Sequence, residues 1–515
     1  MDQLLLNSGF PILSVLIFLP MLGALALLFI KNEENCRRTA LVFTAAVALL
    51  SLTLLSGFDS TTARFQFVEM KPWVQAFNIN YTVGVDGISI LLLLLTTLIM
   101  PFCVLVSWTY IKKRVRAFMI CLLIMETAMI GVFAALDFVL FYVMWEAMLI
   151  PMYLLIGIWG GPRRIYASVK FFLYTLAGSV LLLVAIIWLY MQNGYSFFIP
   201  DMMWQNYSTT AQMFLFLAFF LAFAIKVPMF PFHTWLPAAH VEAPAAGSVI
   251  LASLLLKMGA YGFLRFALPI TPEATAVMIP WILWLSIIGI IYGGFTALAQ
   301  SDMKKLIAYS SVGHMGFITL GIFTLNIDGI EGAVLQMINH GVTTGALFLC
   351  IGMIYERTHS RDIESATGIG KYMPVYITFF TFFSLAAFAF PGTNGFVGEF
   401  MIIAGAFKYS LSQGNFPWLA LASIPGAVLA AAYMLRMLQR KIWGREHNPD
   451  NSWLKEHDLN TREIITLAPF LLFVLWVGLA PKPFLNIMHT SVSALIQNFA
   501  TCQAKAVAIA GTVLN

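Results

Sequence analysis

Six residues in this chain combine a titratable side chain with an apolar setting. They are Glu146, Lys226, Lys257, His314, His340 and Glu399. Each lies inside a run of residues long and apolar enough to cross a membrane. A charge at the centre of a bilayer costs roughly 2.5–3.5 kcal/mol on insertion scales, so such residues persist where they face a polar interior and do work there. Carboxylates, amines and imidazoles in such an interior are the side chains that accept and release protons. The chemistry expected of this set is therefore proton transfer.

The spacing orders them. Glu146 stands about nine residues into LDFVLFYVMWEAMLIPMYLLIG, and the alternative for it is an interfacial carboxylate. Lys226 ends the run MFLFLAFFLAFAIK directly before Val227 and Pro228, where a broken helix frees carbonyls and leaves room for water. A desolvated lysine gives up its proton more readily, although the same residue could snorkel to an interface. If Glu146 and Lys226 pair, they titrate as a unit. Lys257 lies ten residues from Gly247 and eleven from Leu268, too deep to snorkel. His314 and His340 can each pass a proton between two ring nitrogens, or serve simply as core residues. Ser310, Ser311, Asn339, Thr343 and Thr344 beside them suggest a wet interior. Glu399 follows the break Pro391-Gly392-Thr393-Asn394-Gly395, where an acid could also favour a helix N-terminus. Glu126 is a possible secondary carrier, and Asp137 reads as interfacial. His233, His240 and Glu242 have a spacing that matches no zinc signature.

The elements that carry these residues follow from composition. Of 515 residues, 60% are hydrophobic and only 10% are charged. Soluble domains carry about 25% charged residues, so this chain must face lipid. The fold class expected is an all-α integral membrane protein forming one polytopic domain over 1–515. About fourteen spans of roughly 20 residues fit. Those bearing the candidates lie near 117–136, 138–159, 211–235, 245–268, 304–325, 330–355 and 374–408, and the spans 211–235 and 374–408 are interrupted by proline. With fourteen spans both termini share a face. Of the 29 Lys and Arg, 21 then fall on the opposite face, six on the terminal face, and Lys226 and Lys257 remain in the membrane. By the positive-inside rule the terminal face is periplasmic or its equivalent. Two five-span units, 117–268 and 276–438, each contain a broken helix. An odd span count inverts the second unit, so the expectation is a pair of inverted repeats. The longest polar loop, 439–463, lies on the positive face.

Other classes recede. The net charge of +5 sits in short loops and forms no basic stripe for nucleic acid. The five cysteines form no C-x-x-C pair, and there is no Walker or dinucleotide fingerprint. The start MDQLLLNSGF lacks a basic n-region and does not read as a cleaved signal peptide.

The stretches KVPMFPFHTWLPAAHVEAPAAGS, FYVMWEAMLIPMYLLIGIWGG, IAYSSVGHMGF and NHGVTTGALFLCIGMIYERTHSRDI resemble the antiporter-like proton-pumping subunits of respiratory complex I, from about residue 80 to 480. Glu399 in PGTNGFVGEF is typical of the M (chain 4) branch, where the L and N chains and the cation antiporter subunits present a lysine. One departure is Ala238, where the family commonly has Asp in HTWLPDAH. The resemblance implies that Glu146 and Lys226 form an input pair, Lys257 a central carrier, His314 and His340 a link, and Glu399 the exit. It implies L and N chains as partners in the membrane. It also implies that NADH, FMN, iron–sulfur clusters and quinone belong to other subunits, with no cofactor on this chain. A bacterial inner membrane is expected, with an organellar one left open. The runner-up is a subunit of a multisubunit Na⁺/H⁺ antiporter, though no cluster of oxygen ligands for sodium is visible. A purely structural scaffold would not bear the cost of the buried charges.

Overall fold

In the computed structural model, residues 5–7, 9–365, 367–444 and 454–513 are described. Part of the 439–463 loop, including Arg445, and part of the N-terminal stretch therefore lie outside the described residues.

Thirteen helices among the described residues are long and apolar enough to cross a membrane. They coincide with thirteen of the expected spans. The remaining one, 374–408, is two pieces, Pro374–Ala387 and Asn394–Ser412. Pro391 lacks an N–H, and Gly392 turns with φ +89°, a conformation that costs glycine little. The other expected break follows Thr209–Lys226, and the chain resumes as the short helix Trp235–Glu242.

Two more interruptions bear on the candidates. The Glu146 span, Phe138–Trp159, is broken at Met148. A proline ring clashes with the carbonyl four residues back. For Pro151 that carbonyl belongs to Ala147, so the kink falls directly after Glu146. The Lys257 span, Ala245–Ile270, contains two π-helical turns, Leu251–Leu255 and Phe263–Ala267. Such turns loosen the regular hydrogen-bond ladder and occur frequently at functional sites. Lys257 lies between them.

Burial separates inner helices from outer ones. Ala245–Ile270 and the stretch Gly329–Ile354 of Ile327–Thr358 are enclosed, whereas Ile12–Phe29 and Arg164–Gln192 present most of their surface outward. Lys257 and His340 ride on these two enclosed helices. The inner helices approach closely because glycines line their contacts. A side chain at Gly259 would sit 2.8 Å from the Phe223 carbonyl and the Val227 amide, so the Lys257 helix lies against the end of the Lys226 helix.

Two features depart from an all-helical reading. Strands Phe65–Val74 and Ile79–Val85 form an antiparallel hairpin, with Leu5–Asn7 added in parallel. The final helix, Lys482–Val513, is too polar to count as a span and packs on the terminal end of Ile327–Thr358 and of Pro272–Leu298. Its polar positions make it poor as a lipid-crossing segment, and the hairpin is too short to register as a hydropathy run.

Candidate proton-transfer site

The six residues fall into two groups, and one group forms a continuous row. Lys257 is fully enclosed. Its amine donates to the carbonyl of Ala252, inside the first π turn, and lies 2.6 Å from His340 Nδ1. At that separation a proton on one nitrogen disfavours a proton on the other, so the pair shares its charge. The His340 ring stands 5.5 Å, centre to centre, from His314. His314 Nδ1 lies 2.8 Å from Glu399 Oε1, and the Gln336 amide donates to the same oxygen at 3.1 Å.

The groups that would continue a proton transfer remain available. His340 Nε2 and Glu399 Oε2 are buried without a hydrogen-bond partner. Unpaired buried polar atoms are costly, which marks these as positions for water. A cavity of about 10 Å³ lies beside them, lined by His314, Asn339, His340, Thr343 and Gly395. That is room for about one water molecule.

The row is framed by Asn339 and Thr343, which the sequence places in a wet interior, and by Gln336 and Asn394, to which it assigned no role. Asn339 donates to the Asn394 carbonyl at 2.8 Å, and Thr343 donates to Asn394 Oδ1 at 3.2 Å. These contacts tie the Ile327–Thr358 helix to the first turn after the second break and fix where Glu399 emerges. Gln336, His340 and Thr343 recur at helical spacing, so the polar face was detectable from periodicity. Ser310 bonds instead with Tyr433, and Ser311 with a carbonyl of its own helix.

The second group is Glu146 and Lys226, and here the expected pairing differs. No ion pair joins them. The Lys226 amine has no hydrogen-bond partner and stands 4.8 Å over the ring of Trp145, the residue before Glu146. The indole face offers a cation–π contact that stands in for the carboxylate, and Glu146 Oε1 is itself unpartnered.

Other candidates resolve individually. Asp137 caps the Glu146 span, accepting from Val139 N at 2.9 Å and Leu140 N at 3.3 Å, and also from Asn80 N at 3.1 Å. Burial raises its carboxyl to about 6 against the pull of these amides. Glu126 is fully enclosed and neither oxygen has a partner. His240 stacks on Phe348 with ring centres 4.7 Å apart, and Glu242 accepts from the Arg163 amide at 2.9 Å. His233 lies instead between Phe230 and Tyr292.

Two cations counted as loop charges are buried. The Lys304 amine bonds the Ala243 carbonyl at 2.7 Å, and Arg265 pairs with Asp86 at 2.6 Å. Burial alone would raise the Asp86 carboxyl, but the Arg265 guanidinium beside it holds it below its usual value. This pair anchors the second π turn of the Lys257 span to the segment before helix Ser89–Tyr110.

Comparison with known proteins gives a consistent result. Residues 135–425 match the family described as NADH:quinone oxidoreductase/Mrp antiporter, TM. Residues 15–132 match NADH-ubiquinone oxidoreductase chain 4, amino terminus. The chain is 45% identical over 506 residues to NADH-quinone oxidoreductase subunit M of Rhodobacter capsulatus, covering 95% of this chain and 97% of that one. It is 46% identical over 489 residues to NADH-ubiquinone oxidoreductase chain 4 of Marchantia polymorpha, covering 94% and 97%. Among solved structures, a chain of respiratory complex I from Thermus thermophilus with bound NADH superposes with a TM-score of 0.85 at 31% identity, covering 95% and 99%. A chain of the Mrp complex from Dietzia superposes at 0.79 with 19% identity, covering 98% and 56%, a likeness of fold.

Proposed function

The chain belongs to the subunit M (chain 4) family of NADH:quinone oxidoreductase, and from that premise we propose that Glu146, Lys226, Lys257, His340, His314 and Glu399 carry protons through it in that order. The protein is a multi-pass membrane subunit of that enzyme and works beside other membrane subunits of complex I. The observation that carries the path is the enclosed row Lys257–His340–His314–Glu399, with contacts of 2.6 Å and 2.8 Å at its ends and an imidazole pair between them.

Protons enter from the positive face at Glu146. Glu146 hands the proton to Lys226, and Lys226 releases it inward. Lys257 receives it at the centre of the membrane. His340 and His314 pass it across the span of two rings, and Glu399 delivers it toward the terminal face. Moving one charge against 100 mV costs about 2.3 kcal/mol. In this reading the chain holds no redox centre, and NADH oxidation and quinone reduction in partner subunits supply the energy. The neighbours in the membrane are the L and N chains. The termini lie on the periplasmic face of a bacterial inner membrane or its organellar equivalent. The two units 117–268 and 276–438 are inverted copies, each built around one broken helix.

The Na⁺/H⁺ antiporter reading is weaker. Its counterpart in the Mrp complex shares the fold at low identity. Glu399, held by His314 and Gln336, is a proton-exchanging pair with few oxygens to spare for sodium.

The exit role is tested at Glu399. Glu399→Lys retains a titratable group beside His314, and Glu399→Ala retains none. NADH-driven acidification of inverted vesicles should fall severely in the alanine variant and less in the lysine variant. Equal loss in both, with normal assembly, would remove Glu399 from the path.

A further inference from the structure

An apolar groove of about 780 Å³ opens on the flank of the inner helices, on the other side of the Ile327–Thr358 helix from the row's own cavity. Its walls come from four spans, Glu33–Gly57, Ser89–Tyr110, Ile327–Thr358 and Thr461–Leu479, and from the start of the final helix. We propose that this groove is a binding site for one acyl chain of a phospholipid from the leaflet on the terminal side, with its headgroup at the mouth near Lys482 and Asn486.

Depth supports a lipid. The groove follows Ser89–Tyr110 from Leu91, near the terminal end, to Phe102. Eleven residues at about 1.5 Å each reach roughly 16 Å. Half of a bilayer's hydrocarbon core is about 15 Å. The groove thus runs from one interface to the midplane and stops, as one leaflet does. Its inner end is closed by Ile338 and Val342, which flank Asn339, His340 and Gly341.

The chemistry changes in the right sense along this axis. The deep walls are Leu, Ile, Phe and Pro. The mouth carries Ser60 and Asn486, with exposed Lys482 close by in sequence and Asp59 beside Ser60. A lysine ammonium suits a phosphate, and Trp476, half exposed on the wall, has the amphipathic ring favoured near headgroups. An acyl chain lying along the groove would make dispersion contacts with its apolar walls over their whole length.

The site matters because the wall is thin. Leu95 lines the groove, and its Cδ2 would lie 2.9 Å from a side chain at Gly341, the residue after His340. A bound acyl chain therefore stands one side chain from the row and keeps its flank dry. This inference depends on the chain lying in a membrane, and it holds whether or not the row conducts protons.

The test uses the intact complex in vesicles of phosphatidylglycerol and phosphatidylethanolamine, the latter bearing a diazirine midway along one acyl chain. After illumination, adducts are mapped by mass spectrometry. Adducts are expected on Leu95, Leu98 or Phe102 as well as on outward-facing positions such as Leu22 and Val428. In Leu98→Trp, which fills the groove, the inner adducts should vanish while the outer ones persist and the complex assembles normally. Wild-type labelling confined to the outer positions would overturn the proposal. So would cross-linking of groove residues to a neighbouring subunit.

Discussion

Lys257→Ala should abolish NADH-driven proton pumping while the complex still assembles. The amine is the cationic group at the centre of its helix, and its two contacts are the Ala252 carbonyl and His340 Nδ1. No ordered replacement exists for a proton carrier there. Positioned proton-transfer groups contribute about 10²–10⁴-fold to rates, so acidification should fall at least tenfold. Folding should survive for a separate reason. Removing a buried charge also removes its desolvation cost, which commonly matches or exceeds what its contacts contribute. The cavity left by the lost methylenes works against this, at a cost of about 2 kcal/mol or more, but the two flanking π turns give the helix latitude to adjust. Acidification and NADH oxidation measured together, with assembly checked on native gels, decide the matter. Undiminished pumping would rule Lys257 out as a carrier.

Glu146→Gln should produce the second large loss. Glutamine keeps the shape and polarity of the side chain and removes its charge and its proton. The Lys226 amine has no carboxylate in contact and no hydrogen-bond acceptor. It stands over the ring of Trp145, the residue before Glu146. Without the Glu146 carboxyl the input side has no proton to hand on and should stop loading. Because pumping is coupled to electron transfer, NADH oxidation should fall along with acidification. A variant that retains both at the wild-type level would show that Glu146 lies off the path.

How much of this was legible in the sequence depends on which coordinate is asked for. Depth was readable. Lys257 sits mid-helix in the string, and it is fully enclosed in the fold. The breaks after Lys226 and at Pro391 follow from proline, and both stand where the residues put them. Direction around the helix axis was harder. Spans give no azimuth without knowing their neighbours, so the contacts of His340 with Lys257 and of His314 with Glu399 needed the packed structure. The same limit explains Lys226. Its position predicted a buried amine near Glu146, but only packing shows Trp145 interposed. Lys304 and Arg265 illustrate the opposite error. Both stand near span ends and were counted as loop charges, yet tertiary contacts with the Ala243 carbonyl and with Asp86 draw them inward. Pro151 carried a readable signal for the kink beside Glu146 that the hydropathy pattern concealed. The hairpin of Phe65–Val74 and Ile79–Val85 and the final helix were missed because neither forms a long apolar run.

The central claim is that the imidazole pair joins Lys257 to Glu399. The most direct test replaces both rings with phenylalanine, His314→Phe with His340→Phe, in inverted vesicles where acidification and NADH oxidation are followed in one sample. Phenylalanine preserves the ring volume, adds no charge and carries no proton. The account predicts that the complex assembles and that acidification collapses with both ends of the row, Lys257 and Glu399, still present. Wild-type acidification per NADH oxidised in this double variant would contradict it and show that protons cross by another route.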